Sequence, residues 1–319
     1  MDAANVVFFG SGSLGVPCLQ ELARRGFIDV VVSQPDRPAG RGRVSTPTPI
    51  SVAALECGLK LIRTDNANQL ETRDQCARAK VIVVIAFGQK LLPELIADRV
   101  AINLHPSALP KWRGAAPIQR AMMAGEQRIT ACAMAVAERM DAGAIYARHN
   151  FELGATETAG ELHDRIARDS VEMMLQTIER ARVGTIIGQE QIDAHATRAM
   201  KLSKSEAYVD FAQPAQLVRC RIHGLAPWPG CDAEISGEPI RLLRVREVSV
   251  NSAALSAAPS ANLPGEILQE GFVACGVGAI EIMQVQPVGG RAMAWQDFCR
   301  GRSIQMGQRM TSAPRKEQT

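Results

Sequence analysis

The sequence predicts an α/β protein: a doubly wound, mostly parallel sheet followed by a smaller β-barrel domain. Two observations carry this. Up to about residue 184, short apolar runs alternate with helical patterns; beyond residue 205, short strand-like runs are punctuated by glycine and proline. Strands separated by helical segments need crossover connections, which are right-handed and lay the strands parallel. A chain of 319 residues is long enough to bury a full core and suits two domains.

The first strand is NVVFFG, and VPCLQELARRG after it is an amphipathic helix closed by Gly26. FIDVVVSQPD is a second strand, PISVAALECG a second helix and LKLIR a third strand. KVIVVIAFG (80–88) and VAINLH (100–105) are apolar enough to be interior parallel strands. RITACAMAVAE and AIYARHNFEL, joined through RMDAG, predict an antiparallel pair. From Thr158 to Gly184 the pattern predicts one long helix, opened by a capping box of Thr158 and Glu161. The expected division is therefore a doubly wound α/β domain over 1–184, a polar linker over 185–205, and a C-terminal β-domain over 206–315. Inside that last part, NSAALSAAPSANLPG predicts a flexible loop.

Composition narrows the function classes. A net charge of +3 gives no concentrated basic field, so total charge alone does not point to nucleic acid. The eight cysteines are scattered without a C-x-x-C pair or a histidine at metal-ligand spacing, which predicts reduced, mostly buried thiols, no metal centre and a cytoplasmic protein. No basic segment precedes the first apolar run, so a secretory leader is not expected. No apolar run approaches the roughly 18 residues that span a bilayer.

Two local patterns carry chemistry. Gly10-Ser11-Gly12-Ser13-Leu14-Gly15 fits G-x-G-x-x-G between a strand and a helix, with Asp36 where a ribose-binding acid would fall. A nicotinamide-dependent oxidoreductase is thus one reading; a tight turn, or a site for another anion, are the others. Asp36 lies in the loop QPDRPAGRGR rather than at a strand tip, which weakens the first. The second pattern is INLHPSALPKWRGAAPIQ (102–119). Asn103 and His105 are two apart on one strand, so both side chains leave the same face at its carboxyl end, where open α/β sheets bind ligands. An amide donor beside an imidazole suits a carbonyl under attack, and Asp141 of RMDAG could orient the ring if the fold brings it near. Arg37, Arg41 and Arg43, spaced by glycine and proline, suit a loop that reaches phosphates or base edges, or a solvated surface loop.

The stretch INLHPSALPKWRGAAPIQRAMMAGE resembles the signature of the folate-dependent formyltransferases: Asn-x-His at a strand end, a Ser-x-Leu-Pro loop and a distant Asp after a β-run. LPKWRGAAPIQ with QPDRPAGRGR, then KLSKSEAYVDF, PWPG and GRAMAWQDF, is similar to the methionyl-tRNA formyltransferase branch of that family over nearly the whole chain. The resemblance implies a Rossmann-like domain followed by an OB-like barrel that grips tRNA. It implies Asn103, His105 and Asp141 as the catalytic set, and a folate site of Ser107, Ala108, Leu109 and Pro110 bordered by Phe87, Gly88 and Leu91. It also implies that the loop holding Arg37, Arg41 and Arg43 meets the acceptor stem of initiator tRNA. The implied reaction moves the formyl group of 10-formyltetrahydrofolate to the α-amine of methionyl-initiator tRNA, without a metal, in a monomer. Whether His105 serves as base or as oxyanion donor stays open. So do a formyltransferase acting on a small amine and a noncatalytic binding module.

Two departures from the family pattern stand out: Gly10–Gly15 replaces a Gly-Thr-Pro-x-Phe-Ala turn, and Met306-Gly307 stands where Pro-Gly is usual. Remaining residues have plainer expectations. His163, within the predicted long helix, is expected to be a surface or packing residue; His149, His195 and His223 lack partner patterns, and Trp228 between two prolines is expected to anchor the second core.

Overall fold

The structure is a computed structural model and describes residues 6–39, 44–248 and 263–312. In chain order its strands and helices begin with β1 (Val6–Gly10), α1 (Val16–Arg24), β2 (Ile28–Ser33), β3 (Arg37–Ala39), β4 (Val44–Thr46), α2 (Pro49–Glu56) and β5 (Leu61–Arg63). There follow α3 (Leu70–Gln75), β6 (Val81–Ile85), α4 (Pro93–Ile96), β7 (Val100–His105), β8 (Arg113–Gly114), α5 (Pro117–Met123), β9 (Arg128–Ala135) and β10 (Ile145–Glu152). The later elements are α6 (Ala159–Asp169), α7 (Val171–Arg182), β11 (Arg198–Ala199), α8 (Ala215–Leu225), β12 (Cys231–Ile235) and β13 (Glu238–Val248). Most of the stretch NSAALSAAPSANLPG, expected as a flexible loop, lies outside the described residues; beyond it come β14 (Val273–Ala274), β15 (Ala279–Pro287), β16 (Met293–Ala294), α9 (Trp295–Arg302) and β17 (Met310–Ser312).

Two compact units emerge. The first is built from residues up to Gly114, Ile129–Phe151 and His163–Arg198; the second from Ala115–Arg128, Glu152–Leu162 and residues from Ala199 onward. The chain thus passes between units repeatedly, where a single boundary after residue 184 is expected from the alternation of elements. The cause is packing: Ala116 and Met123, flanking and ending α5, join the core that α8 covers in the second unit. Nor is 185–205 a free linker, since Gln189 and Ile145 exchange both backbone bonds at 2.8 Å.

The first unit holds a seven-stranded sheet in the order β10-β9-β7-β6-β1-β2-β5. β6–β7, β1–β6, β1–β2 and β2–β5 pair parallel, and β7–β9 antiparallel. The runs VVFFG and VIVVI are almost continuously apolar because interior parallel strands are covered on both faces. Phe8 and Phe9 are wholly buried, each contributing about 1.5–3 kcal/mol of burial energy. α2 starts at Thr48, whose hydroxyl accepts from the Ser51 amide at 3.0 Å, a cap worth about 1 kcal/mol. The helix expected over 158–184 is two helices. Ser170, with φ −84° and ψ −5°, interrupts it, although the Thr158–Glu161 box forms as the spacing predicts. The stretch QPDRPAGRGR begins as half of a small hairpin rather than plain loop: β3 pairs antiparallel with β4.

The second unit is an antiparallel sheet in the order β14-β15-β13-β12-β17, with β16 on β15. Residues 265–267 bond both to Ala274 on β14 and to Met310 on β17, closing the sheet into a barrel. Its core is anchored by Trp295 and Phe298, stacked at 5.6 Å. Trp228, expected to play that part, is instead half exposed, while Pro227 beside it fills the space next to Gly160. All eight cysteines are free and six are buried, as their scatter predicts. No helix among the described residues is long and apolar enough to cross a membrane.

Candidate active site

β7 carries Asn103 and His105 toward the carboxyl end of the sheet, between β6 and β9. Their spacing of two puts both on one face. No hydrogen bond engages the Asn103 carboxamide among the described residues, so its donors are available. The His105 ring is 5% exposed and its Nε2 lies 3.0 Å from the Trp112 carbonyl. A carbonyl only accepts, so Nε2 carries a proton and Nδ1 is the ring position left for chemistry. Facing Nδ1 at 3.7 Å is Asp141 Oδ2. The three residues proposed from the sequence as a catalytic set thus lie in one unit, with the carboxylate beside the ring.

Asp141 sits in the turn between β9 and β10 with φ +54°, a left-handed conformation that costs a non-glycine residue about 1 kcal/mol. Several contacts hold it there. The Gly114 amide donates to Oδ2 at 2.8 Å, and Gln191 Nε2 donates to the Asp141 carbonyl at 2.9 Å. The same nitrogen also donates to the Gly143 carbonyl at 2.7 Å. Gly143 must be glycine, because a Cβ there would lie 2.0 Å from the Ala135 carbonyl oxygen of β9.

The loop after His105 is internally braced. Ser107 Oγ donates to the Lys111 carbonyl at 2.8 Å, the Ser107 amide to His105 and the Leu109 amide to Ser107. Leu109 is buried with Cys132, Met134 and Ile145, while Ala108 and Pro110 are partly open. On the neighbouring strand end, Phe87 packs edge-on against Phe9 and Leu91 joins the same core, each almost fully buried. Of the three residues expected here, Gly88 is the exposed one, at φ +80° over the Gln34 amide.

The glycine motif near the start has a structural use. The amides of Ser11 and Gly12 both donate to the Ala86 carbonyl, and a Cβ at Gly12 would meet Ala86 Cβ at 2.9 Å. Amides so committed are not offered to a pyrophosphate, and Asp36 pairs with Arg63 at 3.2 Å. Of the basic loop, Arg37 is exposed on β3, opposite Thr46. Arg41 and Arg43 lie outside the described residues. Among the described residues no cluster of three or more His, Cys, Asp or Glu is placed to hold a metal.

Sequence reasoning missed the residues that support Asp141. Gln191 lies in a stretch with no periodicity, and Arg113 is inside the quoted signature but has no legible role there. The Trp112 carbonyl is a backbone group invisible to side-chain patterns.

The fold and site together define the class: residues 4–178 match the formyl transferase family and residues 201–303 its C-terminal domain, so the chain belongs to the formyl transferase family. Within it the chain is 36% identical to a methionyl-tRNA formyltransferase of Cereibacter sphaeroides, over 97% of this chain and 99% of that one. The fold is shared with a methionyl-tRNA formyltransferase from Clostridium thermocellum, at 14% identity and TM-score 0.55, covering 78% of this chain and 95% of the other. It is shared too with HypX from Aquifex aeolicus in complex with tetrahydrofolic acid, at 15% identity and TM-score 0.62, covering 93% of this chain and 47% of that one.

Proposed function

We propose that the protein transfers the formyl group of 10-formyltetrahydrofolate to the α-amino group of methionyl-initiator tRNA, supplying the initiator for protein synthesis in the cytoplasm. The observation that carries this reading is the likeness to a methionyl-tRNA formyltransferase from end to end, across both units.

The chemistry follows from the site. Asn103 donates to the formyl oxygen as it gains negative charge. His105 Nδ1 takes the proton of the attacking amine, which titrates near about 8 and is partly neutral at cellular pH. The resulting imidazolium lies 3.7 Å from the Asp141 carboxylate, which stabilises it. His105 then delivers that proton to N10 of the folate as the carbon–nitrogen bond breaks. The proton on Nε2, held by the Trp112 carbonyl, favours this relay over an oxyanion-donor role for the ring. Folate would lie along Ser107–Pro110 and the backbone of Gly88, and Arg37, Arg41 and Arg43 would meet tRNA, the enzyme acting as a monomer. The test is transfer of labelled formyl from 10-formyltetrahydrofolate to charged initiator tRNA, with elongator methionyl-tRNA as control. Transfer to initiator alone is expected; no transfer, or equal transfer to both, would overturn the assignment.

A further inference from the structure

Gln191 is the most heavily used side chain near Asp141. Its Nε2 donates to the carbonyls of Asp141 and Gly143, and its Oε1 accepts from Arg113 Nε at 3.1 Å and Nη2 at 2.7 Å. Arg113 is 9% exposed, and its Nη1 meets Asp193 Oδ1 at 2.9 Å. Asp193 in turn meets Arg139 at 2.7 Å, two residues before Asp141. That outer pair is solvent-exposed and weak. The inner part is shielded, and its geometry is specific: one carboxamide bonds the two carbonyls on either side of Ala142 while its oxygen is locked by a guanidinium fork.

We infer that Gln191 is a positioning residue that holds the Asp141 carboxylate beside His105. The inference rests on the reading that Asp141 serves formyl transfer. The Asp141 turn has a left-handed residue at its centre and little side-chain packing of its own. Gln191 fixes its backbone while the Gly114 amide, next to Arg113, fixes the carboxylate. Arg113 therefore links both holds. Misplacement of a reacting group by about 1 Å can cost about 10²-fold in rate.

Gln191→Met removes all four bonds. Gln191→Glu keeps the acceptor toward Arg113 but removes both donors, so it retains the Arg113 anchor for folding. Each is expected to lower kcat about 10- to 100-fold, with KM for folate and tRNA within about twofold; the urea midpoint should stay close to wild type in Gln191→Glu and fall in Gln191→Met, where the buried Arg113 loses its acceptor. Added to Asp141→Asn, Gln191→Glu should lower kcat by less than about twofold further, because a residue acting through Asp141 has nothing left to position. Losses that multiply in the double variant, or full turnover in both Gln191 variants while Asp141→Asn is impaired, would overturn the inference alone. Full turnover in Asp141→Asn would overturn it together with the catalytic reading.

Discussion

The Gly114 amide donates to Asp141 Oδ2, the same carboxylate oxygen that stands 3.7 Å from His105 Nδ1. The oxygen is anchored by backbone, so its charge is held near the ring without a closed bond to it: 3.7 Å exceeds the roughly 2.7–3.2 Å of a hydrogen bond.

His105→Ala and Asp141→Asn should therefore each lower kcat by about 10²–10⁴-fold while leaving KM and folding nearly unchanged. Initial rates with saturating folate and tRNA, alongside urea midpoints, measure this. Near-normal turnover in either variant would remove that residue from the mechanism.

Gly143→Ala tests the turn that presents Asp141. Its Cβ would sit 2.0 Å from the Ala135 carbonyl, a backbone atom of an interior strand that cannot yield cheaply. Gly184 is the control, since φ there is +74° but nothing lies within 4 Å. Gly184→Ala should cost about 1 kcal/mol, from backbone conformation alone. Gly143→Ala should cost about 3 kcal/mol or more and abolish turnover. Equal urea midpoints for the two variants would show that the β9 contact is not limiting.

The parallel strands were legible because burial on both faces writes itself as unbroken apolar runs, as in VVFFG and VIVVI. Asn103 and His105 were legible because a spacing of two on a strand fixes a common face. Asp141 was legible only as a candidate, since spacing cannot show that it lies near the ring; the structure supplies that proximity. Gln191 was not legible: it reaches Asp141 from 50 residues away, and a polar residue among polar neighbours carries no periodic signal. The membership of α5 in the second unit was hidden for a related reason, as the partner of its apolar face lies on α8, far along the chain. Trp228 misled because aromatic character suggests burial, and the barrel core is filled by Trp295 and Phe298 instead.

Arg41, in the segment between β3 and β4, should separate the two substrates. Arg41→Ala is expected to raise KM for tRNA by about 10-fold and to flatten the salt dependence of tRNA binding by about one phosphate contact. The folate dissociation constant should stay as in wild type. An equal loss of both substrates would place Arg41 at the folate site instead.

In the second unit, Arg120 on α5 grips Glu206 with two bonds, at 2.5 and 3.0 Å. Glu206 also closes a capping box with Ser203, and Arg221 donates to its carbonyl. Burial alone would raise the Glu206 carboxyl, but the Arg120 guanidinium and the Ser203 amide hold it below the usual range. Arg120→Met leaves that carboxylate partly buried without its main partner and should cost about 2–4 kcal/mol. Urea unfolding of Arg120→Met and of the Arg120→Met/Glu206→Met pair measures it. Recovery of stability in the pair is expected, and no difference between the two would show that the ion pair is not what joins these segments.

His223 gives the protein a pH-dependent stability. It is 1% exposed on α8, and its Nε2 accepts from the Val245 amide at 3.1 Å. The proton is therefore on Nδ1, which is buried without a partner among the described residues. Burial, then the charges of Arg219 and Arg244, lower its pKa from 6.5 to about 4, against a smaller opposing effect of Glu161. Since the folded value lies below the unfolded one, the unfolded chain binds the extra proton between these limits. Stability is then complete above about pH 6.5 and is lost as pH falls toward 4. Between pH 7.5 and 5 the loss should be about 2 kcal/mol. Carboxylates with ordinary or lowered pKa values titrate mostly below that window, so they contribute little to the slope. His223→Gln, which keeps an acceptor for Val245, should flatten it. Urea midpoints at pH 7.5, 6 and 5 decide the matter: parallel slopes in wild type and His223→Gln would assign the loss to other groups.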